Sequence, residues 1–399
     1  MRYLTVGLPG IGGQVRREPE DFEVEEIPLY PASGVGRHTY FVVEKKGVST
    51  FHAADLVARA LGVSVRQIGY AGMKDAHALS RQTFSVEGVP LERVLALRLQ
   101  GIRIVSATRH RNKLKIGHLR GNRFRIRIRG VGLEAAEQCR AILAVLQARG
   151  MPNYFGVQRF GLREDTHVLG RLLVTGDCEG LLRRFLGSPH PGESSGAQEA
   201  RRLFDRGLWE EALKAFPGGM WEERAVLEAL IRSGGSYEKA CLRISKPLKR
   251  LLVSAFQSRL FNQVLDRRLE NLDRICTGDL AMKHENGACF LVEDGAMEQP
   301  RADRFEISPT GPLFGYKVRL AEGEPGRLER EVLAQEGLTL EDFRVGGGLS
   351  PRGARRPLRV PLEGVEMASD EEGLVLRFAL PPGSYATVLL GEVMKCPLD

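Results

Sequence analysis

The sequence predicts an α+β protein in which a helix-rich segment interrupts one α+β domain. Three observations predict it. Strand-like and helix-like signals alternate over the first 150 residues; from about Asn153 the pattern is mostly helical; and strand signals return after Val345–Pro357, "VGGGLSPRGARRP", the most linker-like stretch of the chain. The expected division is therefore 1–150 with 346–399 as one discontinuous domain and 151–345 as the insertion.

The elements follow in order. "FEVEEI" and "TYFVVEKK" (Thr39 to Lys46) alternate as strands. Ser49 or Thr50 then caps an amphipathic helix, "FHAADLVARALG", which stops at Gly62. "RQTFSVEGV" returns to strand, and "PLERVLALRL" is a short helix with Pro90 at its start. "IRIVSATRHRN" and "NRFRIRIRG" are two further strands, and Leu133 to Arg149 is a helix closed by Gly150. In the middle segment the clearest helix runs from Pro247 to about Leu272, with an apolar stripe through Leu251, Leu252, Ala255, Leu260, Val264 and Leu265. Strands are expected at Gly278–Met282, Ala288–Val292 and Arg304–Ile307, then near Gly364–Met367 and Leu374–Leu380, with a last helix from about Ser384. No internal repeat is present.

Composition excludes several classes. The six cysteines are scattered singly, and the eight histidines show no ligand spacing, so no disulfide framework and no metal centre is expected. The N-terminal residues lack an apolar leader core, and the longest apolar runs, such as "AILAVL", are too short for a bilayer. The expectation is a reduced, cytoplasmic protein without a membrane partner and without an obligate protein partner. Gly10, Gly12 and Gly13 lack both the strand-then-helix frame and the lysine of a phosphate cradle.

The net charge is +8, and much of the basic surplus lies between Arg109 and Arg129. On the last strand of that stretch Arg123, Arg125, Arg127 and Arg129 alternate with Phe124, Ile126 and Ile128, making one guanidinium face and one apolar face. Such a ladder either follows a phosphate backbone or pairs with acids on a neighbouring strand. Upstream, Arg109, Arg111, Lys113, Lys115 and Arg120 have no acid nearby in sequence, which points to a nucleic-acid surface.

One carboxylate stands apart. Asp75, in "GYAGMKDAHALSRQTFSV", has no second acid close by. Taken alone it reads as a turn former. Yet "GMKDAHALSRQ" (Gly72 to Gln82) resembles the signature of the TruD-type pseudouridine synthases, a Lys-Asp pair followed by a hydroxyl residue and Gln at fixed offsets. Other blocks resemble that family in its order: "PEDFEVEE", "RNKLKIGHLRGNRF", "NYFGVQRFG", "AFQSRLFNQVL" and "LPPGSYATVLLGEVMK". The resemblance covers essentially the whole chain.

It implies a pseudouridine-synthase catalytic domain with a mixed, largely antiparallel sheet, interrupted by a helix-rich α/β TRUD domain. It further implies isomerisation of uridine in RNA, with tRNA as the expected substrate and the D-stem uridine at position 13 as the expected target. On the matching positions Asp75 is the catalytic aspartate, Lys74 its basic neighbour, and Phe22, Asn122, Phe124 and Tyr385 line the uridine pocket. The chemistry needs one carboxylate, as nucleophile at C1′ or as base at C2′, and no cofactor or metal. The base must leave its stack, so aromatic contacts are expected. Four positions depart from the family pattern: Ala76 replaces a basic residue, Ser80 replaces Thr, Tyr385 replaces a frequent Phe, and Gly391 replaces Arg. Two other readings compete. One is a non-catalytic RNA-binding or chaperone protein on the same scaffold, against which the retained Lys74–Asp75 pair counts. The other is a metal-dependent nuclease, which would need an acidic or His cluster.

Overall fold

The structure, a computed structural model, describes residues 1–74 and 78–397. Asp75, Ala76 and His77 lie outside the described residues. The chain divides into two compact units, one of Arg2–Met151 with Val360–Asp399 and one of Pro152–Arg359.

In chain order the first unit begins with β1 (Phe22–Pro28), β2 (His38–Lys46), α1 (Thr50–Leu61), β3 (Gly69–Tyr70) and β4 (Leu79–Glu87). It continues with α2 (Leu91–Leu95), β5 (Ile102–His110), β6 (Leu119–Ile128) and α3 (Ala135–Arg149). Two-residue strands, β7 (Met151–Pro152) and later β12 (Arg359–Val360), stand where the chain leaves and re-enters this unit. The second unit holds α4 (Thr166–Val174), α5 (Cys178–Leu186), α6 (Ser195–Asp205), α7 (Trp209–Ala215), α8 (Trp221–Arg232), α9 (Tyr237–Cys241) and α10 (Lys246–Arg268). There follow β8 (Leu280–Lys283), β9 (Cys289–Leu291), α11 (Gly295–Asp303), β10 (Ile307–Leu313), α12 (Gly323–Gln335) and β11 (Ala354–Pro357). The tail adds β13 (Glu363–Asp370), β14 (Gly373–Leu380) and α13 (Ala386–Met394) to the first unit.

The first unit is built on one sheet in the order β13-β14-β6-β1-β4-β2-β5, with β3 also on β4. The β1–β4 pair is parallel and every other pair in the sheet is antiparallel, so the sheet is mixed and largely antiparallel, as expected. Helices cover it in two patches. The side chain of Ser49, not Thr50, caps α1 by accepting the His52 N–H at 3.2 Å, and Gly62 ends the helix in the left-handed region at φ 68°. The apolar stripe of α1 then packs on Phe41, Val43, Phe84 and Val86. In the second patch α3 and α13 bury Ile142, Leu146, Leu389 and Val393 against Ile126, Ile128, Leu376 and Phe378. Burial of such side chains is worth about 1.5–3 kcal/mol each. Within α13 the buried Glu392 carboxylate is satisfied by the Leu4 N–H (2.7 Å), the Thr5 N–H (3.0 Å) and the Thr5 hydroxyl (2.7 Å), which ties the two chain ends together.

In the second unit α10 is the central helix, against which α4 packs. Gly170 makes that approach possible, because a Cβ there would sit 2.0 Å from the Leu252 carbonyl oxygen. A four-stranded sheet, β11-β10-β8-β9, completes the unit. Three local expectations are corrected. Leu251 is 47% exposed and leaves the buried stripe of α10. The strand expected at Arg304–Ile307 begins only at Ile307, because Arg304 caps α11 and Phe305 turns the chain at φ 54°. The linker-like segment ends in a strand, β11, whose Arg355 donates to Glu329 at 2.7 and 3.0 Å.

Candidate active site

The site grows from the one parallel pairing. β1 and β4 run in register from Glu23↔Leu79 to Glu25↔Arg81 and then part. Glu26 is the next residue of β1, on the same side as Phe22 and Val24 by strand alternation, and that side is the one the helices cover. A carboxylate there is costly unless it is paired. Its two oxygens are used: one accepts the Thr83 backbone N–H at 3.2 Å, the other meets the Lys74 ammonium at 3.1 Å. Both side chains are almost fully buried, 2% exposed for Glu26 and 5% for Lys74. Burial pushes the Glu26 carboxyl above the ordinary glutamate range, against the pull of Lys74.

The backbone leading to Asp75 is held from three sides. The Lys74 N–H donates to the Thr50 hydroxyl at 2.8 Å, and that hydroxyl donates to the Gln82 side-chain oxygen at 2.7 Å. The other end of the Gln82 amide donates to the Gly72 carbonyl at 3.1 Å. Lys45, buried under the same loop, donates to the carbonyls of Val48 (2.6 Å) and Lys74 (3.4 Å). The segment Gly72–Lys74 is thus pinned to α1, β2, β4 and β1.

The aromatic candidates lie beside this anchor. Phe124 stacks on Phe378 with ring centres 5.2 Å apart and meets Phe22 edge-on at 6.1 Å. The Arg16 guanidinium covers the Phe22 ring at 4.5 Å. Phe22 and Phe124 are both buried in the apolar core, so they form the floor rather than the rim of any cleft here. Asn122 is paired across the sheet with Glu26 on one side and Leu380 on the other. Its side-chain oxygen, like the Ser80 hydroxyl, is buried without a hydrogen-bond partner among the described residues. Tyr385 occupies the position before α13, five residues past Leu380, and is partly exposed. The structure therefore brings Phe22, Lys74, Asn122 and Phe124 onto one covered face of one sheet.

Sequence reasoning missed Glu26, Thr50 and Lys45 as parts of this arrangement. Glu26 had a signal: in "FEVEEI" it is the acid on the apolar parity of the strand. Thr50 had only a weak one, since a helix start needs a single cap and Ser49 already supplied it.

The two basic groups behave differently. The ladder is neutralised on the open face of the sheet: Arg123 by Glu25 (3.4 Å), Arg125 by Glu23 (2.8 Å), Arg127 by Asp370 and Glu372, and Arg129 by Asp21 (2.8 Å) and Glu372 (3.2 Å). The ladder pairs with acids of β1, of the turn before it and of the β13–β14 hairpin. Arg111, Lys115 and Arg120 are exposed and have no ion pair among the described residues. Among the described residues no cluster of His, Cys, Asp and Glu could hold a metal ion, and no helix is long and apolar enough to cross a membrane.

Comparison with known proteins gives one consistent result. A family model described as "tRNA pseudouridine synthase D (TruD)" matches residues 1–393. The tRNA pseudouridine synthase D of Geobacter metallireducens is 51% identical over 394 residues, 99% of this chain and 98% of that one. That of Thermus thermophilus is 42% identical, covering 98% of this chain and 92% of its own. A solved structure from Methanosarcina mazei that carries the TruD name superposes with a TM-score of 0.82 at 31% identity, over 99% of this chain and 96% of that one.

Proposed function

Because the chain belongs to the TruD family of tRNA pseudouridine synthases, we propose that its catalytic group is Asp75 and its target the D-stem uridine at position 13 of tRNA. The unit of Arg2–Met151 and Val360–Asp399 is then the catalytic domain, and Pro152–Arg359 the inserted TRUD domain. The observation that carries the reading is the anchorage of Gly72–Lys74 by Thr50, Gln82, Lys45 and Glu26. A turn former needs no such support. A residue that must meet C1′ or C2′ of one extruded nucleotide does, because an error of about 1 Å costs roughly 100-fold in rate.

The reaction conserves all atoms. The N1–C1′ bond of uridine breaks, the uracil turns, C5 bonds to C1′, and the C5 proton leaves as N1 is protonated. One carboxylate serves either route, by attack at C1′ followed by displacement or by removal of the C2′ proton. Phe22, Phe124, Asn122 and Tyr385 receive the turned base, with the Asn122 oxygen available to its N–H groups.

The test compares wild type with Asp75→Asn on a tRNA carrying U13, with pseudouridine mapped nucleotide by nucleotide. The expected result is modification of that position by the wild type and none by Asp75→Asn, with tRNA affinity kept. Modification by the variant would overturn the assignment of Asp75. Binding without modification by the wild type would select the non-catalytic reading.

A further inference from the structure

The connection from β5 to β6 has a long way to go. β5 is an edge strand and β6 lies four places inward, so residues 111–118 must pass the ends of β2, β4 and β1. On the way the connection is fastened at four points. Lys113 donates to the Arg66 carbonyl. The Leu114 N–H donates to the Ser85 hydroxyl at 3.0 Å, the Gly117 N–H to the Ala71 carbonyl at 2.8 Å, and the His118 ring meets the Tyr30 hydroxyl at 2.7 Å. Leu114 and Leu119 are buried with Tyr40 and Ala71. Gly117 has a φ of 91°, a turn that other residues resist. The Ala71 bond joins this connection to the segment that continues into Lys74.

With its buried residues so fixed, the connection leaves Arg111 and Lys115 exposed, and Arg120, at the start of β6, is exposed just beyond it. All three lack an ion pair among the described residues, whereas the ladder arginines of the same sheet are all paired. Unneutralised cations on a pre-ordered backbone are what a polyphosphate ligand can use, because neither a competing carboxylate nor loop entropy has to be overcome. We infer that Arg111, Lys115 and Arg120 form a phosphate clamp for the tRNA backbone, held next to the catalytic loop through the Gly117–Ala71 hydrogen bond. The inference rests on the tRNA reading above and adds which of the two basic clusters does the gripping.

The test measures the salt dependence of tRNA binding by the full-length protein. Each lost phosphate contact lowers the slope of log K against log[salt] by about 0.7–0.9. Arg111→Gln/Lys115→Gln/Arg120→Gln should therefore lower it by about 2–3, and Arg111→Lys/Arg120→Lys should keep it. The charge-neutral removal of two ladder pairs, Glu23→Gln/Glu25→Gln/Arg123→Gln/Arg125→Gln, should leave it unchanged. An unchanged slope in the triple variant, or an equal fall in the ladder variant, overturns the clamp. Neither result touches the tRNA reading, which fails only if the wild type forms no pseudouridine in tRNA.

Discussion

Thr50→Val removes one hydroxyl and almost no volume, and two polar groups lose their partner by it. The Lys74 N–H at 2.8 Å and the Gln82 oxygen at 2.7 Å are both in a buried environment, and Thr50 itself is 1% exposed. An unsatisfied buried group costs about 1–3 kcal/mol, so the pair gives roughly 2–6 kcal/mol. For a unit of this size that is a fall of roughly 4–24 °C in its thermal midpoint. The cap of α1 is not involved, since Ser49 supplies it. On the proposal that Asp75 is the catalytic group, loosening the Gly72–Lys74 segment that precedes it should lower single-turnover pseudouridine formation about 100-fold with tRNA affinity unchanged. Ser49→Ala is the matched control: it should cost about 1 kcal/mol of stability and leave the rate alone. A Thr50→Val protein with wild-type single-turnover rate would show that the anchor does not position the catalytic group.

Other outcomes follow from the same geometry. For Asp21, burial pushes the carboxyl up, but hydrogen bonds from Arg129 and from the Glu18 N–H outweigh it and hold the group below the ordinary range. The stability from this lowered value is present above the unfolded carboxyl value near pH 4 and is lost as pH falls through the folded one. Asp21→Asn should therefore lower the urea midpoint at pH 7 and differ little from wild type at pH 2–3. Gly121→Ala would place a Cβ 2.5 Å from the Leu380 carbonyl oxygen, opening the β6–β14 ends beside Asn122. It should cost about 1–3 kcal/mol and slow single turnover. Gly170→Ala would meet the Leu252 carbonyl at 2.0 Å and should cost at least as much, read as a lower midpoint for the second unit.

Strand and helix identities in the first unit were legible because alternation and capping are local. "FEVEEI", "NRFRIRIRG" and the Ser49-to-Gly62 helix declare themselves within their own residues. β10 did not: it reads "ISPTGPL", and two prolines and a glycine hide a strand that lies between β8 and β11. The site was legible only in part. Lys74 and Asp75 stand together in sequence, but Glu26 is 48 residues from Lys74, and their meeting depends on where the parallel β1–β4 register stops. Register is a property of the assembled sheet, and no local pattern encodes it. The ladder shows the same limit. Its alternation was plain, while its partners Asp370 and Glu372 come from the far end of the chain.

The discontinuity of the first unit has a consequence for synthesis. β14 and α13 leave the ribosome after the rest of this unit, and until they arrive β6 is an open edge and the patch that α13 covers is bare. At the usual pace of translation that interval lasts on the order of tens of seconds, long enough for an exposed strand to find a wrong partner. Arg123, Arg125, Arg127 and Arg129 line that waiting strand, and charge along an edge discourages pairing with another chain. Arg127 is neutralised by Asp370 and Glu372 only when the final strands dock. Arg127 is thus the ladder arginine that stays uncompensated on the open edge until the chain is finished, and it becomes inert once the final strands dock.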